Sequence, residues 1–471
     1  VDEFQDTNSI QYAWLRILVG DKGSITAVGD DDQSIYGWRG AKIENIQNFT
    51  KHFNEVQTIR LEQNYRSTGH ILKAANGLIK NNDDRLGKEL WTESAEGEKI
   101  SLYAGFNEQD ESRFILSIIK KWRDEGASLK DMAILYRSNA QSRVIEECLV
   151  RDQMAYRIYG GHRFYDRLEI KNALAYARLA IDANDDGAME RVINVPPRGI
   201  GERSIGTIRE LARDQGCSMW QAASEIVRQK LLPARATNAI TAFLGLVDGM
   251  SSCIQSDDLG LGEIFEQLIQ EAGLIAFHEK EKGEKGEARV ENLKELVSAA
   301  SGFSWTQTES EEQEYSSPMM AFLDQAVLDA GEAQADEYQD AIQLMTLHSA
   351  KGLEFPLVFL TGVEENLFPS RMSFEEPGRL EEERRLCYVG ITRAMEKLYI
   401  TYAESRRLHG SESFNSPSRF INEIPSECLE EVRLRSQVSR PVSTQRPTYA
   451  RPTNSVLEGY QVPETNISMG D

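Results

Sequence analysis

At 471 residues, with 40% hydrophobic and 27% charged side chains, the chain is long enough for several domains, each with its own core. No apolar run approaches the roughly 20 residues of a membrane span, and nothing resembles an export signal. A net charge of −22 excludes a general nucleic-acid coat, so any phosphate contact must come from a local basic and aromatic lining.

In chain order, Val1-Asp2-Glu3-Phe4-Gln5-Asp6 reads as the acidic end of a buried strand. Ser24–Val28 suits a buried strand ending at Gly29-Asp30, residues 41–53 carry helical spacing, and 56–61 form a β-rich run. A helix over 71–79 and a strand over 132–136 follow. Strands alternating with helices predict an α/β fold with a doubly wound parallel sheet. From about 160 to 338 the β-runs largely vanish and long helical patterns take over, including 170–181, 205–213 and 289–300. The polar, acidic stretch 306–315 predicts a mobile loop. Strand-like runs resume at 342–347, 357–361 and 398–402, so a helical domain is inserted into an α/β domain. From Gln437 onward, Ser, Pro, Thr and Arg predict a disordered tail.

The five cysteines (Cys148, Cys217, Cys253, Cys387, Cys428) have no C-x-x-C spacing and predict reduced thiols in a cytoplasmic protein. No histidine pair has metal-ligand spacing.

Asp2 and Glu3 are adjacent carboxylates of the kind that hold Mg²⁺ through water and activate a hydrolytic water in P-loop nucleotidases. Alone, such a pair is more often a solvated turn. Here Gly29-Asp30-Asp31-Asp32-Gln33 follows, and then Tyr36-Gly37-Trp38-Arg39-Gly40. Two aromatics beside an arginine suit single-stranded DNA, with bases on the rings and phosphate on the cation, although a lone Trp is more often core. Within the helical region, Pro196-Pro197-Arg198-Gly199-Ile200-Gly201 precedes a helix. Gly199 and Gly201 let backbone amides approach a phosphate, and a plain helix–helix turn is an equal alternative.

Four separated stretches stand in order: Val1–Asp6, Leu61-Glu62-Gln63-Asn64-Tyr65-Arg66-Ser67, Thr346-Leu347-His348-Ser349-Ala350-Lys351-Gly352-Leu353-Glu354, and Glu383-Arg384-Arg385-Leu386-Cys387-Tyr388-Val389-Gly390-Ile391-Thr392-Arg393-Ala394. This set resembles the DExx-box superfamily 1 DNA helicases of the UvrD/Rep/PcrA family over about residues 1–440. Colinearity through the helical region and residues 433–442 favours the UvrD branch. The resemblance implies two RecA-like domains, the first incomplete. The expected division is 1–62 for the first, 63–159 and 339–436 for the second, 160–338 for a helical duplex-binding insertion, and 437–471 for the tail. It implies an ATP-dependent, 3′→5′ helicase of DNA repair and replication that uses Mg²⁺. Its DNA partners are a single strand and the junction with duplex, and its protein partners are repair proteins and further copies of itself.

The same resemblance assigns roles. Glu3 activates water, Asp2 and Glu3 hold the metal, and Gln33 senses the γ-phosphate. Arg66 and Arg393 stabilise the transferring phosphoryl group, though either alone reads as a surface charge. Tyr65 stacks on adenine and Glu354 bonds the ribose. Tyr36, Trp38, Arg39, Arg137, Asn139, Thr346 and His348 contact the single strand, and Gly199 and Gly201 the duplex. No G-x-x-x-x-G-K-[ST] occurs anywhere, so residues 1–471 alone are expected not to turn over ATP. The alternative is a non-enzymatic protein that binds DNA or repair partners.

Overall fold

The computed structural model describes residues 1–432 apart from 21–22, 54, 84, 256–258, 282, 305–316, 332–338 and 409–410. The expected loop at 306–315 and the tail beyond 437 lie outside the described residues.

The strands among the described residues are β1 (Ile100–Gly105), β2 (Met132–Tyr136), β3 (Tyr156–Ile158), β4 (Ile342–Thr346), β5 (Phe355–Leu360), β6 (Ala394–Ala403), β7 (Arg406–Leu408), β8 (Ser411–Ser413) and β9 (Leu429–Glu431). Seven form a parallel sheet in the order β3-β4-β2-β5-β6-β1-β9, while β7 and β8 pair as an antiparallel hairpin. Strand β2 shows why the sheet forms. All its residues are buried, Met132, Ile134 and Tyr136 in one core and Ala133 and Leu135 in the other. Alternate side chains point to opposite faces, and a parallel sheet needs both faces covered.

One face is closed by the Glu108–Asp124 helix through Ile115, Leu116 and Ile119. Its start is set by Asn107, whose side chain accepts from Asp110 N at 2.9 Å. Acids fill its first turn and Lys121 and Arg123 its last, as the helix dipole favours. The opposite core takes the Gly69–Ile79 helix and the Arg379–Ile391 helix.

Between β3 and β4 the regular elements among the described residues are helices, with long segments at Leu168–Ile181, Glu202–Gln215, Ala234–Ile254 and Glu284–Gly302. These share a separate core that includes Tyr176, Phe243, Phe265 and Leu293. Because β3 and β4 are adjacent (Tyr156 beside Ile342), the helical excursion leaves and rejoins the sheet at neighbouring strands. A buried polar seam joins the two parts. Arg143 Nε donates to Glu295 at 2.7 Å, and Arg167 donates to Asn292 Oδ1 at 2.8 Å and Asn139 O at 2.9 Å.

Several expectations fail in the first sixty residues. Residues 24–28 form no strand and are not buried: Val28 is 52% exposed. Their backbone is tied to residues 1–4, through Val1 N–Thr26 O (2.8 Å), Val28 N–Val1 O (2.8 Å) and Phe4 N–Val28 O (2.9 Å), and among the described residues they join no strand ladder. An apolar run is buried only when something lies on each face. The 56–61 run likewise joins no ladder and leaves Ile59 and Leu61 exposed. The 41–53 pattern splits into Glu44–Gln47 and Phe49–His52 at Asn48, whose φ/ψ of −93°/4° leaves the helical region. Glu3 does not end a strand; it is left-handed (φ 49°, ψ 44°) and leads into a 3-10 turn over Phe4–Asp6.

Candidate nucleotide and nucleic-acid site

Phe4 roots the acidic turn. It is fully buried, with its ring edge-on to Tyr12 (5.9 Å) and Phe49 (5.2 Å). With Phe4 inward, Asp2 and Glu3 are exposed. The left-handed Glu3 is unusual for a residue with a side chain, and such backbone is concentrated at functional turns. Asp2 Oδ1 accepts the Glu3 amide at 2.9 Å, and Gln5 Nε2 donates to Glu3 Oε2 at 2.5 Å. Two exposed carboxylates suit a hard cation that keeps several waters, so this donor set fits Mg²⁺.

Lys351 crosses from the second half of the chain to this turn. Its Nζ donates to Asp6 Oδ2 at 2.7 Å and to Gln33 O at 2.9 Å, and it lies 3.2 Å from Glu3 Oε2. Burial raises the Asp6 pKa above the ordinary carboxylate value, and Lys351 opposes that rise. Gln33 Nε2 donates to Asp30 Oδ2 at 2.7 Å. The three carboxylates Asp30, Asp31 and Asp32 lie close enough to share a cation. They are already engaged: Lys88 pairs with Asp30, Leu86 N donates to Asp31 at 2.7 Å, and Arg85 grips Asp32 with two bonds of 2.7 Å.

Arg66 and Arg393 come together at Thr392. Arg66 Nη1 donates to Thr392 O at 3.5 Å, while Arg393 Nη2 donates to Thr392 Oγ1 at 3.1 Å. Asn64 Oδ1 sets the Arg66 backbone by accepting from Arg66 N (2.8 Å) and Ser67 N (2.9 Å), and Ser67 Oγ donates to Ala394 O at 2.7 Å. Arg393 is 2% exposed and also donates to Val389 O and Leu353 O, both at 3.0 Å. Burial, then repulsion from Arg66, lowers its pKa to about 10, with Asp30 among the groups opposing the drop. Arg66 rests on Glu354. Beside it the Tyr65 ring is 82% exposed, its hydroxyl on Gln63 Oε1 at 2.8 Å.

The nucleic-acid candidates form two groups. Arg39 lies over both aromatic rings, 4.9 Å from the Tyr36 centroid and 4.5 Å from that of Trp38. His348 packs on the same pair, at 6.3 Å from Tyr36 and 6.2 Å from Trp38, and Tyr36 OH donates to His348 O at 3.2 Å. Burial, with Arg137 and Arg39 nearby, lowers the His348 pKa to about 3. The Trp38 Nε1 is buried and has no acceptor among the described residues. Arg137 and Asn139 follow the end of β2, and Thr346 ends β4, so these residues share the carboxyl edge of the sheet where open α/β folds bind ligands. Arg137 grips Glu383 through Nε at 2.9 Å and Nη2 at 2.8 Å, Asn139 starts a 3-10 turn, and Thr346 Oγ1 meets Ser349 Oγ at 3.0 Å.

Gly199 and Gly201 lie in the helical region. Gly199 takes φ 82°, which favours glycine, and Gly201 caps the Glu202–Gln215 helix. Between them Ile200 is buried, and Asn194 Oδ1 accepts from Arg198 N at 2.8 Å, leaving both glycine backbones outward. The sequence reading assigned no role to Lys351, Arg85, Lys88, Glu382 or Glu383. Lys351 and Glu383 sat inside quoted stretches, yet their partners are hundreds of residues away, as with Lys351 and Asp6.

A parallel α/β sheet with two arginines meeting beside an acidic, glutamine-bearing turn defines the class: the chain belongs to the UvrD-like helicases. The UvrD-like helicase C-terminal domain matches residues 59–405, and the UvrD/REP helicase N-terminal domain matches 1–54. DNA helicase II of Escherichia coli is 59% identical over 446 residues, covering 95% of this chain and 61% of that protein. DNA helicase II of Haemophilus influenzae is 55% identical (93% of this chain, 60% of that protein), and the ATP-dependent DNA helicase PcrA of Staphylococcus aureus 44% (91% and 58%). The chain thus spans about three-fifths of the length of these relatives.

Proposed function

We propose that this chain is the larger part of an ATP-driven, 3′→5′ DNA translocase and helicase acting in repair and replication. The observation that carries the reading is the meeting of Arg66 and Arg393 at Thr392, with Asp30, the partner of Gln33 Nε2, acting on Arg393. Glu354 balances these two adjacent cations, one of them buried, and a triphosphate, with its greater charge, would take its place between them. Arg66 would exchange Glu354 for phosphate, freeing that carboxylate for a ribose hydroxyl. Tyr65 offers its open ring to adenine. Glu3 orients and deprotonates the attacking water, while Gln33 senses the γ-phosphate from a turn fixed by Asp30. Mg²⁺ bound by Asp2 and Glu3 would supply further charge neutralisation.

Lys351 supports the coupling half of the reading, because it joins Glu3 and Asp6 to the Gln33 carbonyl and lies 5.2 Å over the Tyr36 ring. Nucleotide state at Gln33 then reaches the base-stacking platform within one short segment. We take 1–62 as part of the first RecA-like domain, 63–159 with 339–436 as the second, and 160–338 as the helical insertion whose Gly199–Gly201 turn meets duplex phosphate. Single-stranded DNA, its junction with duplex, repair proteins and further copies of the chain are the partners. The second reading, strand binding without turnover, rests on the absence of a G-x-x-x-x-G-K-[ST] run from residues 1–471.

The test uses two proteins. Residues 1–471 should bind an oligonucleotide without hydrolysing ATP. Joined to a segment that supplies the phosphate loop, the sequence should show strand-stimulated hydrolysis that Glu3→Gln abolishes while strand binding persists. Turnover by 1–471 alone, or by the joined Glu3→Gln protein, refutes the assignment.

A further inference from the structure

The Arg379–Ile391 helix holds more than the approach to Arg393. Two adjacent carboxylates in its first turns each grip a different half of the proposed DNA track. Glu382 Oε1 accepts the Gly37 amide at 2.8 Å, in the middle of Tyr36-Gly37-Trp38-Arg39. Glu383 is buried and accepts Arg137 Nε at 2.9 Å, with Arg137 Nη2 at 2.8 Å, and its other oxygen takes Ser370 N at 3.2 Å. Gly37 and Glu382 are 345 residues apart, and Arg137 and Glu383 are 246 apart, so neither contact arises from local chain geometry.

The fit at Gly37 is close. A methyl group there would come within 2.6 Å of Glu382 Oε2 and 3.0 Å of Oε1, so a side chain at residue 37 would displace the carboxylate. Between Tyr36 and Trp38 the backbone amide is the handle by which the pair of rings can be held, since the Trp38 indole N–H has no acceptor among the described residues. Tyr36 has a second anchor in His348 O at 3.2 Å; Trp38 has ring contacts with His348 and Arg39, and the Gly37 amide on Glu382 ties its backbone to the helix. Two rings presented at a fixed angle stack on successive bases; a loosened segment loses that register while its cations still find phosphate.

We propose that Glu382 and Glu383 are positioning residues of the DNA track. Glu382 fixes the aromatic platform, and Glu383 fixes Arg137. Since the same rigid helix ends at the turn carrying Thr392 and Arg393, it is the frame in which strand contacts and the nucleotide arginine keep a constant separation. With about 1.5 Å of rise per residue, Glu383 and Arg393 stand roughly 15 Å apart along it. The proposal rests on the DNA-binding reading above and touches no step of hydrolysis.

The test needs no nucleotide. Affinity of residues 1–471 is measured for an oligo-dT strand and for an abasic strand of equal length, across a salt series. If the wild-type chain binds neither strand, the parent DNA-binding reading fails and this one with it. If it binds both, with dT favoured, Glu382→Ala should remove most of the preference for bases, a loss of roughly tenfold in dT affinity. Abasic affinity and the salt slope should be unchanged. Glu382→Gln, which keeps an acceptor for Gly37 N, should restore the preference, and Gly37→Ala should reproduce Glu382→Ala from the other side of the contact. Glu383→Ala should instead weaken both strands alike and flatten the salt slope, because Arg137 loses its aim at phosphate. Equal loss on both strands in Glu382→Ala, no change in either, or failure of Glu382→Gln to rescue would each overturn the proposal. A chain that does not fold shows in its circular dichroism, and Glu382→Gln and Gly37→Ala then carry the decision.

Discussion

Lys351→Met should release the acidic turn and the Gln33 segment from the sheet without disturbing the sheet itself. The Lys351 side chain is 7% exposed, and its ammonium has three polar partners within 3.2 Å. A hydrogen bond to a charged partner contributes about 1.5–3 kcal/mol, and a neutral one about 1. Asp6 would stay half-buried with its other oxygen, Oδ1, already lacking a partner among the described residues. Exposed Glu3 adds little, because water screens it. The loss is therefore about 2–3 kcal/mol of local stability, or roughly 30- to 150-fold faster opening at 1.4 kcal/mol per decade. Hydrogen exchange read on peptides covering 1–8 and 30–40 measures this, with the β2 peptide as internal reference. The sign with pH follows from Asp6. Its folded pKa lies above the unfolded value and rises further without Lys351. The folded state then binds more protons in that window, so the deficit of the variant grows as pH rises through it and shrinks on acidification. Unchanged exchange at 30–40, or equal acceleration in β2, refutes the reasoning.

His348, with a pKa lowered to about 3 by burial and by Arg137 and Arg39, should stay neutral in the folded chain. Its imidazole resonances should not titrate between about pH 5 and 8. The unfolded chain takes up that proton near the ordinary histidine value of 6.5, so this contribution to stability is complete above 6.5 and declines as pH falls towards 3. A titration centred near 6.5 would contradict this. Arg85→Ala leaves Asp32, whose side chain is 1% exposed, without its two-bond partner and with Lys88 at 4.0 Å as its ion pair among the described residues. The expected cost is about 3 kcal/mol, read as faster pulse proteolysis of the 24–60 segment, and Arg85→Lys should not recover the paired geometry. A neutral result would show that Asp32 is better hydrated than its burial implies. Trp38→Ala should weaken oligo-dT binding by roughly 5- to 150-fold, the 1–3 kcal/mol of one stacked base, in a fluorescence-anisotropy titration. An effect under twofold would remove Trp38 from the track.

What the sequence made legible follows the range of the forces involved. Strand β2 was readable because Met132–Tyr136 is apolar throughout and two covered faces need that. The Ser-Ile-Thr-Ala-Val run at 24–28 also reads as a buried strand, but burial depends on what lies alongside, and its backbone bonds among the described residues run to residues 1–4. The helical stretch between Ile158 and Ile342 was visible as an interruption of β-runs, but the adjacency of β3 and β4 that frames it was not. At the site, the stretches around Arg66 and Arg393 were identified from their resemblance to the family. The approach of Arg66 to Thr392, the chain neighbour of Arg393, is a tertiary fact. Lys351, Arg85 and Glu382 escaped notice for one reason: a lysine, arginine or glutamate on a helix or loop is ordinary until its partner is known, and each partner here is at least 53 residues distant.

The most direct test of the account is a double-variant cycle on strand-stimulated ATP hydrolysis, with this sequence joined to a phosphate-loop segment. If Arg66 and Arg393 serve one triphosphate, Arg66→Ala and Arg393→Ala should each slow the chemical step by roughly 10³-fold or more, and the double variant should be little slower than either alone. Independent, multiplying losses, or normal turnover in one single variant, would mean that the two guanidinium groups do not act on the same phosphate.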